Sequence, residues 1–116
     1  MQRDPRSYLW DVREAADAIG RFVTGKTYAD YTGDLLLRSA NERQFEIIGE
    51  ALNQLSKVAP ALAGRIPNLS EIVAFRNLLI HGYASLNHIL VWRTIEESLP
   101  QLRKTVAGLL DELGSP

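Results

Sequence analysis

The sequence contains no cysteine among its 116 residues. A disulfide framework, a thiolate metal site and a cysteine nucleophile are therefore excluded. No apolar run approaches the roughly 18 residues that a membrane-spanning helix needs. The N-terminal segment MQRDPRSYLW is polar and has no apolar core of signal-peptide length. We therefore expect a soluble, cytoplasmic protein that does not interact with a membrane.

An excess of positive charge is also absent. Thirteen basic and 14 acidic side chains give a formal net charge of −1, which excludes a protein that coats nucleic acid with a broadly basic surface. Carboxylates are, however, missing between residues 72 and 95. This window has a formal charge of +2, because it contains Arg76 and Arg93 but no lysine. The charge distribution therefore predicts a local cationic site.

Sustained β alternation is missing from the chain, and apolar residues recur at helical spacing instead. The pattern predicts helices over about 8–23, 34–59, 69–81 and 87–113, with a short extra helix or turn at 26–33. Four antiparallel helices with short connections form an all-α, up-and-down four-helix bundle. A length of 116 residues corresponds to one domain.

Three features are expected to begin or interrupt the later helices. Asn68, followed three residues later by Glu71, has the spacing of a capping pair. Asn87 is the predicted N-cap of the last helix. Pro100 removes a backbone donor, so we expect a kink there, with Ser98 capping the restarted helix.

One charged residue, Arg76, lies in the middle of the apolar face of the helix at 69–81. A buried charge needs a partner, and Glu50 or Glu46 on the long helix is the candidate carboxylate. Asn77 and His81 lie at the edge of the same face. In a purely structural interpretation, His81 is a helix C-terminal cation that faces the helix dipole.

The same placement suits the chemistry of RNA cleavage. RNA carries its own nucleophile, the 2′-hydroxyl, so a site needs only a base, an acid and a cation, and no cofactor or metal is predicted. Histidine titrates near neutral pH, as acid–base catalysis requires. The arginine fork fits a phosphate and stabilises charge on its oxygens. His81 and Arg76 would fill these roles, and Asn77 would orient His81 or a phosphate. His88 has no metal-ligand spacing and is interpreted as a structural or surface residue.

Three sequence blocks resemble a known family. RNLLIHGY, residues 76 to 83, has the R-x4-H-x-Y form of the HEPN motif. FEIIGEALNQLS, residues 45 to 56, and HILVWRTIEESLPQL, residues 88 to 102, resemble signatures of the HepT-like branch. The likeness covers residues 6–113, so residues 1–116 are interpreted as a single HepT-like domain. Two positions depart from the family pattern, because many relatives have Trp at Leu69 and Asp at Asn87.

The resemblance implies a function that composition does not show. Members of this family are metal-independent ribonuclease toxins of toxin–antitoxin pairs, and their motif helices meet in a homodimer to form the RNA-cleaving cleft. Their partner is a nucleotidyltransferase of the MNT type, which in some pairs transfers AMP to the motif tyrosine. By resemblance, Arg76 and His81 are catalytic, Asn77 and Glu50 support them, and Tyr83 is the site of AMPylation or of shielding by the partner. Transfer RNA is the target that the family suggests.

Two other functions remain open at the level of sequence. A non-catalytic HEPN module would bind nucleotides or a partner protein and leave RNA intact. A structural or DNA-binding helical protein is the third possibility, although no helix has the basic character of a recognition helix. The presence of Arg76, His81 and Tyr83 together favours the ribonuclease.

Overall fold

The computed structural model describes residues 3–81, 87–114 and 116, and this part of the chain contains no strand. Its elements are α1 (Pro5–Val23), α2 (Tyr28–Gly33), α3 (Leu35–Val58), α4 (Pro60–Ala63), α5 (Leu69–Ile80), α6 (His88–Arg93), a π-helical segment (Thr94–Ser98) and α7 (Leu99–Leu113). The predicted all-α class is confirmed. Across these ranges, no helix combines the length and the apolar character needed to cross a membrane.

Helix α3 is central to the bundle. It packs against α1 along one flank and against α5 along another, while α7 packs against α1. Their facing apolar stripes form one core, in which the fully buried side chains include Leu9, Ile19, Ile48, Leu52 and Val106. Burying a side chain of this size contributes about 1.5–3 kcal/mol. The core therefore fixes α3 as the support on which α5 is placed.

Side-chain caps begin α3 and α6. Asp34 Oδ1 accepts a hydrogen bond from the Leu37 backbone N–H at 3.2 Å and begins α3. Asn87 Oδ1 accepts from the Leu90 N–H at 3.1 Å, which confirms the predicted cap of α6. These bonds satisfy backbone donors that the first helical turn leaves unpaired.

The predicted cap at Asn68 is wrong. Asn68 has a left-handed backbone with φ of 61°, and its side chain makes no capping hydrogen bond. A capping side chain requires a backbone in the extended region, so the spacing of Asn68 and Glu71 was misleading. Helix α5 nevertheless begins at the next residue, Leu69.

The segment at 26–33 forms a regular short helix. Thr27 and Asp30 make a capping box, in which each side chain accepts the other residue's backbone N–H. Tyr31 is fully buried, and its ring lies 5.5 Å from that of Trp92 on α6. Helix α2 is therefore fixed to both α3 and α6.

A π-helical segment precedes Pro100, and α7 begins after it at Leu99. The Leu99 N–H donates to the Thr94 carbonyl five residues earlier, and Ser98 makes no side-chain capping bond. The predicted cap at Ser98 is therefore wrong, although a new α-helix does begin beside Pro100. Because Pro100 has no N–H to donate, a wider helical turn at this point costs fewer backbone hydrogen bonds than it would elsewhere.

Candidate functional site

The guanidinium of Arg76 is held from two sides. Its Nη2 donates to Glu50 Oε2 at 2.6 Å, and its Nη1 donates to Asn77 Oδ1 at 3.0 Å. Of the two carboxylates considered from the sequence, Glu50 is thus the one that pairs with Arg76. The Arg76 side chain is 24% exposed, whereas its Nε is buried without an acceptor. The exposed part of the Arg76 side chain is therefore the outer edge of the guanidinium, and the part near Nε is buried.

The stem of Arg76 lies on the backbone of α3 at Gly49. A Cβ atom at Gly49 would lie within 3.0 Å of both Cβ and Cγ of Arg76 and 3.4 Å from its Cδ. One turn away, the rings of Phe45 and Phe75 pack edge to face with centroids 5.1 Å apart. Helices α3 and α5 are therefore in direct contact where Arg76 crosses Gly49.

Glu50 is itself oriented by Gln54, a residue that was not predicted from the sequence. Gln54 Nε2 donates to Glu50 Oε1 at 3.1 Å, while the other oxygen of Glu50 accepts from Arg76. A chain of hydrogen bonds thus runs from Gln54 through Glu50 and Arg76 to Asn77. The spacing of Glu50 and Gln54, four residues apart on one helix face, is the signal that could have found this contact.

His81 forms the C-terminal end of α5 and is exposed. Its backbone N–H donates to the carbonyl of Asn77 at 3.2 Å, so Asn77 contacts Arg76 through its side chain and His81 through its backbone. At five residues' separation, Arg76 and His81 are about 7.5 Å apart along the helix axis. Tyr83 lies outside the described residues. The structure therefore brings together Arg76, Asn77 and Glu50, with His81 at the end of the same helix.

The second histidine, His88, packs at the start of α6. Its ring lies edge-on to that of Tyr31 at 6.0 Å. Burial raises the pKa of Glu42, an effect that the nearby His88 and Arg38 oppose and that Glu46 reinforces. Burial also raises the pKa of Tyr31. In the described ranges, no three His, Asp or Glu side chains are grouped to hold a metal ion.

The positive charge of residues 72–95 is partly neutralised in the fold by carboxylates from other parts of the sequence. Glu50 approaches Arg76 from α3, and Glu71 and Glu97 join Arg93 around a groove of about 410 Å³ between α5 and the α6–π region. Glu50 also lines a depression of about 380 Å³ between α1 and α3. An anion that approaches Arg76 therefore meets a guanidinium that already has a carboxylate partner.

Comparison with known proteins gives a consistent result. Residues 12–109 match the family described as Ribonuclease HepT-like. A protein of Methanocaldococcus jannaschii named "Putative RNase" is 32% identical over 90% of this chain and 95% of its own length. "Probable ribonuclease HepT" of Thermococcus cleftensis is 32% identical over 89% of this chain and 93% of its own length. No solved structure matches the chain.

Proposed function

Because this chain belongs to the HepT-like ribonuclease family, we propose that it is a metal-independent endoribonuclease in which Arg76 and His81 act on RNA. The observation that carries the proposal is the seating of Arg76. Arg76 lies on α5, the helix that ends at His81. Its guanidinium is fixed by Asn77 of the same helix and by Glu50 of α3. An arginine held in this way stabilises developing negative charge without first losing side-chain freedom.

The proposed reaction uses the RNA 2′-hydroxyl as nucleophile. His81 takes the proton of the 2′-hydroxyl, and the 2′ oxygen forms a bond to phosphorus as the bond from phosphorus to the 5′ oxygen breaks. A protonated group, which in a dimer would be the second His81, donates a proton to the departing 5′ oxygen. The products are a 2′,3′-cyclic phosphate and a 5′-hydroxyl. Arg76 stabilises the charge on the non-bridging oxygens during the transfer.

Glu50 and Asn77 have supporting roles in this proposal. Arginine has five N–H groups, of which one bonds to Glu50 and one to Asn77. The remaining N–H groups on the two terminal nitrogens are suited to a phosphate. Glu50 balances the charge of Arg76 before RNA binds, and the incoming phosphate then shares or replaces this contact.

The proposed active unit is a homodimer in which two motif helices face each other. Exposed apolar side chains occur on the motif helix and on the next helix, namely Leu78 and Ile80 on α5 and Ile89 and Leu90 on α6, and Leu78 and Leu90 line the same groove. Clustered exposed apolar groups are typical of interaction surfaces. Light scattering at micromolar concentration should give the mass of two chains, whereas the mass of one chain would contradict a shared cleft.

The decisive experiment is RNA cleavage by the purified protein in EDTA. The wild type should cut RNA, with transfer RNA as the first substrate to test, and His81→Ala should lower the rate at least about 100-fold because a general base is lost. His88→Ala is the matched control and should keep activity. Loss of cleavage in EDTA together with activity of His81→Ala would contradict the proposal. A protein that leaves every RNA intact but binds a nucleotidyltransferase would instead support the non-catalytic module.

The proposal extends to a toxin that an MNT-type nucleotidyltransferase neutralises. Tyr83 follows His81 by two residues in the sequence, so an AMP group on its hydroxyl would bring negative charge and bulk close to the catalytic pair. Incubation with the partner and ATP should add one AMP to the peptide that contains Tyr83, and Tyr83→Phe should prevent it. If the partner still silences Tyr83→Phe, it acts by shielding and not by modification.

A further inference from the structure

We infer that Gly49 is a positioning residue, which aims Arg76 by leaving its stem room to lie on the backbone of α3. The consequence for RNA cleavage rests on the proposed function, but the steric relation does not. Gly49 and Glu50 are adjacent on α3, and the pair forms a cradle for Arg76. Gly49 receives the aliphatic stem, and Glu50 binds the guanidinium.

The steric argument concerns which atoms would be displaced. A Cβ at position 49 would come within 3.0 Å of Arg76 Cβ and Cγ, a distance that real Cβ atoms essentially never show. The Cβ of Arg76 is bonded directly to the α5 backbone and cannot turn away as the end of a side chain can, and its Cγ can move only by a change of χ1 rotamer. A side chain at this position would therefore push α5 away from α3 or rotate it, and Arg76 would move with it.

The other helical glycines show that this relation is specific. A Cβ at Gly108 on α7 would meet no atom within 4 Å. A Cβ at Gly20 on α1 would meet only the guanidinium of Arg103, the mobile end of that side chain. A glycine inside a helix costs about 1 kcal/mol relative to alanine. Of these three glycines, Gly49 alone has a rigid neighbour that explains why the cost is tolerated.

Displacement of the aliphatic stem of Arg76 would also displace its guanidinium group. The bond from Nη2 to Glu50 is 2.6 Å long and the bond from Nη1 to Asn77 is 3.0 Å, so a displacement of about 1 Å away from these partners would take both beyond hydrogen-bond distance. The buried Nε has no acceptor that could hold the guanidinium in place. A misplacement of about 1 Å is enough to cost on the order of 100-fold in rate when a group must meet a transition state.

The first test separates catalysis from folding. Gly49→Ala should lower kcat at least about tenfold while KM changes less than about threefold, with rates normalised to the folded fraction measured by circular dichroism. Gly108→Ala is the matched control and should keep kcat. If folded Gly49→Ala turns over RNA at the wild-type kcat, Gly49 only packs α3 against α5 and the inference is overturned.

The second test needs no activity. Overpacking at Gly49 should lower Tm by about 5–10 °C in Gly49→Ala, but by much less when Arg76→Gly removes the opposing stem. An equal loss of Tm in both backgrounds would overturn the inference, as would a Gly49→Ala protein that unfolds whether or not Arg76 is present. If the wild type cuts no RNA, the proposed function fails, and this double-mutant cycle alone decides the role of Gly49.

Discussion

Two helix pairs in this bundle use the same three parts, an arginine, a glycine and a carboxylate. Between α1 and α7, Arg103 crosses Gly20 and its Nη2 donates to Asp17 Oδ1 at 2.9 Å. Between α3 and α5, Arg76 crosses Gly49 and binds Glu50. The difference lies in which part of the arginine touches the glycine. At Gly20 it is the guanidinium, and at Gly49 it is the stem.

That difference decides how much freedom each arginine keeps. The Arg103 side chain is 43% exposed, against 24% for Arg76. Arg103 can move its guanidinium without moving a helix, so its ion pair is an adjustable surface contact worth little to stability. Arg76 cannot shift its stem unless α5 moves. A site that must hold a charge in one position is better served by the second arrangement.

Buried polar atoms without hydrogen bonds are also distributed unevenly. In the part of the chain that the structure describes, they belong to Tyr31, Asn41 and Arg76. These residues lie on α2, α3 and α5, and none lies on α1 or α7. Unsatisfied polar groups reduce stability and tend to concentrate at functional sites. Helices α3 and α5 therefore carry two such residues, Asn41 and Arg76, which stability alone would not select.

The largest expected effect separates the two arginines. Arg76→Ala should lower kcat for RNA cleavage about 100- to 1,000-fold, because a fixed donor to the transition state is lost. Arg76→Lys should recover little activity, since a lysine lacks the planar fork. Arg103→Ala should change kcat less than about twofold and destabilise the protein by at most about 1 kcal/mol. Equal losses in Arg76→Ala and Arg103→Ala would remove the distinction between the two sides.

Asn41→Leu tests the unsatisfied polar group in the N-terminal third of α3. The Asn41 side chain is 0% exposed, and neither of its amide atoms has a partner. An apolar side chain of similar size should raise the free energy of unfolding by about 1–2 kcal/mol, as measured by urea denaturation. Asn53→Leu, on the same helix but less buried, is the control. A loss of stability in Asn41→Leu would mean that the amide has a partner in solution, such as a buried water.

Gly20→Ala tests the adjustable side of the comparison. The new methyl group would displace only the guanidinium of Arg103, and alanine is favoured over glycine within a helix. We expect Tm to stay within about 3 °C of the wild type and activity to be unchanged. A loss of Tm as large as that of Gly49→Ala would show that the two crossings do not differ in rigidity.

The smallest expected effect is the pH dependence due to Glu42. Because burial raises its pKa in the folded state, the folded protein holds this proton more tightly than the unfolded chain. The contribution of Glu42 to stability therefore falls as the pH rises through and above 4.5, its ordinary pKa. Glu42→Gln should be more stable than the wild type at pH 7, and this advantage should disappear near pH 4.

Glu112 provides a control of opposite sign for that measurement. Hydrogen bonds from Arg65 lower the pKa of Glu112. Its stabilising contribution is therefore present at neutral pH and is lost as the pH falls through its lowered pKa. Glu112→Gln should be less stable than the wild type at pH 7, and the difference should shrink in acid. Parallel curves for the two variants would contradict the assignment of burial as the cause at Glu42.

Periodicity predicted the long helices well because their apolar stripes determine both their length and their buried face. Asn87 was correct as a cap because its side chain acts on the backbone three residues away. The cap at Asn68 failed because the turn before α5 imposes a left-handed backbone, which depends on how α4 and α5 are connected. The π-helical segment was missed because its hydrogen bonds respond to packing on both sides of Pro100.

For the site, the position of Arg76 on an apolar face correctly indicated a carboxylate partner on the long helix. The choice of Glu50 over Glu46 could not be made from spacing, because it depends on how far α5 is shifted relative to α3 along the helix axes. The contact at Gly49 sets this relative position of the two helices. In the sequence, Gly49 is only a helix-disfavouring residue within a long amphipathic helix. The roles of His81, Asn77 and Glu50 in catalysis remain predictions, and His81→Ala tests the first of them.

The π-helical segment Thr94–Ser98 gives the last helix a place where its length can vary by one residue. A π turn closes around one residue more than an α turn does. Removing a single residue between 94 and 98 would convert this segment to ordinary α-helix and leave α6 against α2 and α7 against α1. Among relatives, single-residue gaps inside a helix are therefore expected to accumulate here and not within α3 or α5.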